Sequence, residues 1–480
     1  MIEQKALFLD GAFTAPSSTE RITVIGAATE ETIGVTPAAA PEDVDLAVAA
    51  ARRSVAPGSD WSGRSAQQRA DLLDRLADEV ESRGEAVAAL VAQQNGMPIS
   101  TAMAVEVALP VAVYRYYAQL VRGYAFSEDR PGLLGGTVRV DRVPVGVVGA
   151  IVAWNYPNLL TAFKVAPALA AGCAVVLKPS PETVLDTYLY AEALQAAGAP
   201  AGVVNIVPGG AEIGEYLVGH PGVDKITFTG STAVGRRIGA RCGELLRPVT
   251  LELGGKSAAI LLEDVDLAAH AEGLFQATLL NNGQTCVANT RILAPRARYD
   301  ETVEFFAELS RTAALGDPLD PATTVGPLAT ARQRERVQSH ISRAVADGAR
   351  LVTGGGRPRS LERGWYVEPT VFADADRASA LMREEIFGPV LSVVPYDGVD
   401  DAIALANDSD YGLAGTVWTS DREAAESISR SIDSGTFGIN YFMLDPVAPF
   451  GGTRASGLGR ELGPEGLEAC LLARSTYSAV

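Results

Sequence analysis

The chain has 480 residues, of which 47% are hydrophobic and 20% charged, with 48 glycines. That length exceeds one ordinary hydrophobic core, so two or three globular domains are expected, and the composition excludes a disordered or fibrous chain. Forty basic against 58 acidic residues leave a net charge of −18, which repels polyanions and excludes nucleic acid as a general partner.

The N-terminal Met1-Ile2-Glu3-Gln4-Lys5-Ala6 lacks a basic region followed by an apolar run and a small-residue cleavage site, so export is not expected and a cytoplasmic location is. From about residue 60 to 123, apolar positions such as Ala70, Leu72, Leu73, Leu76, Ala77 and Val80 recur at helical spacing and predict long amphipathic helices. Thr137 to Val143 alternates with period two between glycines and Pro144, which suits an exposed antiparallel strand, either an assembly element or a surface hairpin. The longest uncharged run, Val145 to Phe163, is broken by Trp154-Asn155-Tyr156-Pro157-Asn158, which argues against a membrane span and for a buried strand entering a loop.

Short apolar runs at Val147 to Val152, Ala174 to Leu177, Val203 to Val207 and Lys225 to Thr229 then alternate with helical stretches, the pattern of a parallel sheet covered by helices. A second series follows Glu252, with runs at Arg291 to Leu293, Leu391 to Val394, Gly415 to Trp418 and Phe437 to Tyr441, and a helix over Ala331 to Ala346. Two α/β domains with a cleft between them are expected, and clefts of that kind bind ligands.

Several motifs fall at the ends of these strands. Asn155 follows the first, where its amide could donate to an oxyanion or simply form an Asn-x-Pro turn. Lys178 ends the second strand, where α/β sheets bind ligands, although a lone lysine there is more often simply solvated. Phe228-Thr229-Gly230-Ser231 opens a helix whose free N–H groups suit a phosphate, although a plain helix cap explains it about as well. Glu252 is a carboxylate at an apolar strand end; burial there would raise its pKa and fit it to act as a base, while a surface strand with one outward glutamate is the alternative. Cys286, in Asn282-Gly283-Gln284-Thr285-Cys286-Val287-Ala288-Asn289, lies among small and polar residues, where a thiol can meet a substrate. Cys173, Cys242 and Cys470 read as inert buried thiols, and with His220, His270 and His340 scattered no disulfide framework or metal site is indicated.

Together these motifs resemble the aldehyde dehydrogenase superfamily over almost the whole chain. The resemblance rests on Leu7-Phe8-Leu9-Asp10-Gly11, Trp154-Asn155-Tyr156-Pro157, Lys178-Pro179-Ser180, Phe228 to Ser231, Glu252 to Lys256, Gly283 to Cys286, Gly316-Asp317-Pro318, Glu385 to Pro389, Tyr411-Gly412-Leu413 and Pro449 to Gly457. It implies two Rossmann-like parallel-sheet α/β domains plus a small β oligomerisation element. The nucleotide-binding domain would take residues 1–123 and 145–253, the catalytic domain 254–456, and the oligomerisation element 124–144 and 457–480 of a homodimer or homotetramer.

The implied reaction is oxidation of a small-molecule aldehyde to the acid with NAD(P)+. Cys286 would be the nucleophile, Asn155 the oxyanion donor and Glu252 the base that hydrolyses the thioester. The family pattern assigns the cofactor to Trp154, Lys178, Ser180, Pro181, Gly209, Phe228, Gly230, Ser231, Leu253, Glu385 and Phe387. It assigns the substrate pocket to Tyr156, Leu160, Phe163, Thr285, Val287 and Phe450, whose apolar character suits a medium aliphatic or aromatic aldehyde. Pro181 stands where many NAD-using members carry a ribose-binding glutamate, so NAD is expected with NADP possible. Ala153 and Cys173 depart from the family's usual proline and asparagine without touching the chemistry. A CoA-acylating enzyme is disfavoured by Glu252, and a non-catalytic protein of the same fold by Cys286 and Glu252 together.

Overall fold

The computed structural model describes residues 1–479. Five parallel strands form the heart of a first sheet: β1 (Val147–Ile151), β2 (Ala174–Lys178), β3 (Val204–Ile206), β4 (Lys225–Thr229) and β5 (Val249–Glu252). They lie side by side in the order β5-β4-β1-β2-β3. β1, β2 and β4 are buried on both faces, which is why they read as continuous apolar runs rather than alternating ones.

A second sheet is built on β6 (Ala258–Leu261), β7 (Arg291–Pro295), β8 (Thr370–Ala373), β9 (Val390–Tyr396) and β10 (Gly415–Trp418), in the parallel order β8-β9-β7-β6-β10. The run Phe437 to Tyr441 contributes only Gly438–Ile439 to its edge. There Asn440 turns left-handed at φ 53 and its side chain bonds the Thr419 backbone in both directions, which ends the ladder.

Two helices matter most for the site. α1 (Pro157–Ala171) starts on a proline, ends at Gly172 in the left-handed conformation (φ 94), and is buried along its whole length. A helix apolar on every side must lie inside, and full burial of a side chain such as Phe163 contributes about 1.5–3 kcal/mol. α2 (Thr232–Glu244) is capped by the Ser231 hydroxyl, which accepts the Val234 N–H at 3.4 Å.

Residues 66–123 form the expected helices, Ala66–Ser82, Gly84–Asn95 and Leu109–Gly123, with a π-helical stretch over Met103–Ala108 that periodicity does not announce. The exposed strand materialises as Thr137–Pro144, paired antiparallel with Ser127–Pro131 and Leu471–Ser478. The C-terminal segment also serves the first sheet, since Gly457–Leu458 pairs with β5. Cys173, Cys242 and Cys470 are buried, and burial pushes the Cys470 thiol up to about 11.

Candidate active site

In the first sheet, β1 has β2 on one side and β4 on the other, so the chain leaves in opposite directions and a crevice opens at the carboxyl ends of the strands. Trp154-Asn155, Lys178, Gly230-Ser231 and Glu252 stand at those ends. The second sheet meets them with its amino ends: Gly254-Gly255-Lys256 precedes β6, Cys286 precedes β7, and Glu385 to Phe387 precede β9. Between the two lies a cavity of about 920 Å³.

Glycines explain how the two ends approach. A Cβ on Gly255 would collide with the Cys286 carbonyl oxygen, and one on Gly254 with the Glu385 carboxylate. The Gly255 N–H donates to Glu385 Oε1 at 3.0 Å. Ahead of Cys286, Asn281, Asn282 and Gly283 are consecutively left-handed (φ 51, 61 and 72). Such a run persists only when its surroundings hold it. Here the Asn282 amide donates to the Gly96 and Pro327 carbonyls at 2.9 Å each, and Gln284 Oε1 accepts the Ala329 N–H at 2.8 Å.

Asn155 is buried, and its Nδ2 donates to the Gln284 carbonyl at 3.1 Å, which ties the putting together of β1 loop and cysteine loop to one amide. Tyr156 and Thr285 hydroxyls lie 2.6 Å apart. Burial, with the Glu385 and Glu252 charges, pushes the Cys286 thiol up to about 12. Glu252 is 2% exposed, neither of its oxygens has a hydrogen-bond partner, and burial beside Glu461 holds its carboxyl well above the usual range. Lys164 relieves part of that field while bound to Glu461 at 2.7 Å.

At one end of the cavity Lys178 donates to the Gly209 and Pro179 carbonyls at 2.6 and 2.9 Å, and burial lowers it to about 8. A buried ammonium with no carboxylate bonded to it, next to the free N–H groups that open α2, fits a phosphate-bearing ligand. Trp154 and Phe387 meet edge to face with centroids 5.3 Å apart, Phe387 holding a strained φ of 61. Glu182 lines the same end and accepts the Ser180 hydroxyl at 2.6 Å. At the other end the walls are Val105, Leu109, Tyr156, Leu159, Leu160, Phe163, Thr285, Val287, Phe442, Met443, Leu444 and Phe450.

Of the residues expected at the site, Cys286, Asn155, Trp154, Lys178, Ser180, Pro181, Phe228, Gly230, Ser231, Glu385, Phe387, Tyr156, Leu160, Phe163, Thr285, Val287 and Phe450 line this cavity. Glu252, Gly209 and Leu253 do not. The Glu252 side chain faces the Gly451 backbone, Gly209 reaches the site only through the Lys178 ammonium, and Leu253 is buried against Gly235. Val105, Leu109, Gln276, Met443, Arg237 and Arg332 line it unforeseen.

The sequence pattern of the Aldehyde dehydrogenase family matches residues 13–476. The chain belongs to that family. Its reaction is the NAD(P)-dependent oxidation of an aldehyde. The chain is 53% identical over 476 residues to geranial dehydrogenase of Castellaniella defragrans, covering 99% of each protein. It is 40% identical to the chloroplastic betaine aldehyde dehydrogenase of Amaranthus hypochondriacus, over 97% of this chain and 94% of that one. Among solved structures, the aldehyde dehydrogenase of Mycobacterium tuberculosis complexed with NAD+ superposes with a TM-score of 0.97 at 46% identity, over 99% of this chain and 98% of that one. A variant of aldehyde dehydrogenase C from Pseudomonas syringae, complexed with NAD+ and octanal, gives 0.95 at 39% identity, over 98% and 96%. Aldehyde dehydrogenase folds thus account for the whole architecture, including both parallel sheets.

Proposed function

We propose that this aldehyde dehydrogenase oxidises apolar aldehydes, of the geranial or octanal kind, to their acids with NAD+, by a thioester on Cys286 that water hydrolyses. The observation that carries the substrate class is the aldehyde end of the cavity, where Leu160, Phe163, Val287, Met443 and Phe450 stand without a charged side chain among them. A cationic aldehyde such as an aminoaldehyde would have to shed its hydration there with no carboxylate to receive it.

Cys286, as thiolate, bonds to the aldehyde carbon, while the Asn155 amide and the Cys286 N–H donate to the oxygen that becomes negative. NAD+, when bound, supplies the hydride acceptor that turns this adduct into a thioester. Lys178, Ser231 and the opening of α2 would hold its phosphates, and Glu385 and Phe387 its nicotinamide end. Glu252 then takes a proton from water, whose oxygen attacks the thioester carbon. The C–S bond breaks, the carboxylic acid leaves, and the sulfur is freed. Glu252 performs this after its side chain turns from Gly451 toward the sulfur. Glu182 keeps a carboxylate beside Ser180 although Pro181 occupies the usual glutamate position, and that favours NAD+ over NADP+.

The nucleotide-binding domain comprises residues 1–123 and 145–253, the catalytic domain 254–456, and the assembly element 124–144 and 457–480. Tyr477 projects exposed from the sheet of Ser127–Pro131, Thr137–Pro144 and Leu471–Ser478, and Leu133 and Leu134 from the turn that joins its first two strands, which supports a homodimer or homotetramer joined there. Among the described residues no helix is long and apolar enough to cross a membrane; the cytoplasm is the proposed location, with neither membrane nor nucleic acid as partner.

The test is reduced-nicotinamide absorbance with octanal, geranial, benzaldehyde and betaine aldehyde, each with NAD+ or NADP+, with and without CoA. Expected is CoA-independent reduction of NAD+ with the three apolar aldehydes. A preference for betaine aldehyde would overturn the substrate class, and a requirement for CoA the hydrolytic step.

A further inference from the structure

Among the buried carboxyl groups that the reaction just described leaves unused, one stands next to a residue of the cavity wall. Glu106 has no solvent exposure and sits in the π-helical stretch Met103–Ala108. That widened turn places Val105 in the cavity wall, while Glu106 Oε2 accepts the Asn158 backbone N–H at 2.7 Å. Asn158 lies in the first turn of α1, whose N-terminal N–H groups receive no side-chain cap from Tyr156. Glu106 therefore caps α1 from a different helix.

The same turn is held from its other side. Asn158 Nδ2 donates to Asp186 Oδ2 at 3.0 Å, and Asp186 Oδ1 accepts from Gln94 Nε2 at 2.7 Å. Next to Gln94, the Asn95 amide donates to the Asn155 carbonyl at 3.1 Å, and Asn281 adds a second donor at 2.9 Å. Asn155 thus sits in a segment whose backbone is fixed on both flanks and whose side chain points into the cysteine loop.

The geometry points to Glu106 as a positioning residue for Asn155: by capping the first turn of α1 it aims the oxyanion amide at Cys286. This rests on the reading of Asn155 as the oxyanion donor. Burial holds the Glu106 carboxyl well above its usual range, and glutamine, a neutral acceptor of the same shape, can stand in for it.

The experiment measures the single-turnover rate of nicotinamide reduction, normalised to titratable Cys286 thiol, for Glu106→Leu, Glu106→Gln, Asn155→Ala and the double variant Glu106→Leu/Asn155→Ala. Glu106→Leu is expected to slow that step about tenfold or more, since a small misplacement of an oxyanion donor is felt strongly. Glu106→Gln should recover most of the rate, and Glu106→Leu should add nothing once Asn155 is alanine. Unfolded chain, which would also expose Cys173, Cys242 and Cys470, is removed by size exclusion before the titration, so loss of folded protein alone leaves the normalised rate unchanged. An unchanged rate in Glu106→Leu, or an equal loss with and without Asn155, overturns the proposal. A full rate in Asn155→Ala instead removes the oxyanion reading, and the proposal with it. If Glu106→Leu yields no folded protein, Glu106→Asp takes its place, the shorter carboxyl withdrawing from the Asn158 N–H; a wild-type rate there overturns the proposal.

Discussion

Glu252→Gln separates the chemistry of the site from its stability. The substitution keeps the shape of the side chain and removes its capacity to take a proton. General base catalysis contributes roughly 10²–10⁴-fold, or about 2.7–5.4 kcal/mol of the deacylation barrier. Steady-state turnover should fall by that factor, while rapid mixing should still show a burst of about one reduced nicotinamide per Cys286 thiol, because thioester formation precedes the lost step.

The folded state should respond in the opposite sense. Both Glu252 oxygens are buried without a partner, and the folded pKa lies above the ordinary 4.5. The group's contribution to stability is therefore fully present below that value and is lost as pH rises through the folded pKa. Glutamine does not titrate, so thermal unfolding should show variant and parent alike at acid pH, with the variant gaining on the parent toward neutrality. Unchanged turnover would refute the assignment of the base. A vanished burst would place Glu252 before the thioester, and a variant less stable than its parent at neutral pH would mean that the carboxylate has a binding partner when folded.

Four other outcomes are expected. Cys286→Ala should abolish both burst and turnover while a fluorescence titration with NAD+ stays near the parent's; residual turnover at the parent's rate would remove the nucleophile. Turnover should rise with pH, since burial has pushed both Cys286 (to about 12) and Glu252 upward and each acts deprotonated, so a flat profile between acid and alkaline pH contradicts the mechanism. Lys178→Met should weaken NAD+ binding about tenfold or more by removing a charged donor, measured calorimetrically; unaltered affinity would take Lys178 out of the cofactor site. Phe163→Leu should raise KM for benzaldehyde severalfold with kcat kept, as loss of a wall contact does, and a fall in kcat at constant KM would show the ring acting on chemistry instead.

The parallel strands of the first sheet were readable because strands covered on both faces leave uninterrupted apolar runs. Cys286 stood out from its small, polar neighbours, and Glu252 from the cost of placing a carboxylate in an apolar strand. Other features leave no comparable trace. β6 is four residues long and abuts the Leu253-Gly254-Gly255-Lys256 turn, which masks it. The π turn at Met103–Ala108 changes the helical phase, so no 3.6-residue pattern could place Val105 in the cavity and Glu106 away from it. Phe442 to Leu444 belong to a loop without periodicity. The direction of the Glu252 side chain is a tertiary property, decided by Gly451, Glu461 and Lys164, and no local pattern encodes it.

The two ends of the cavity differ in where they come from. The groups around the sulfur and around Lys178 are fastened to the tips of parallel strands. Much of the aldehyde end is supplied instead by Val105 and Leu109 on the outlying helices and by Phe442 to Leu444 on a loop. Side chains in all three sources can change without disturbing a strand, and the loop can change length as well, provided the turn that carries Val105 keeps the Glu106 bond to the Asn158 N–H. The architecture thus separates what is oxidised from how it is oxidised, and a lineage built on it can acquire new aldehydes by redrawing one wall while inheriting the reaction intact.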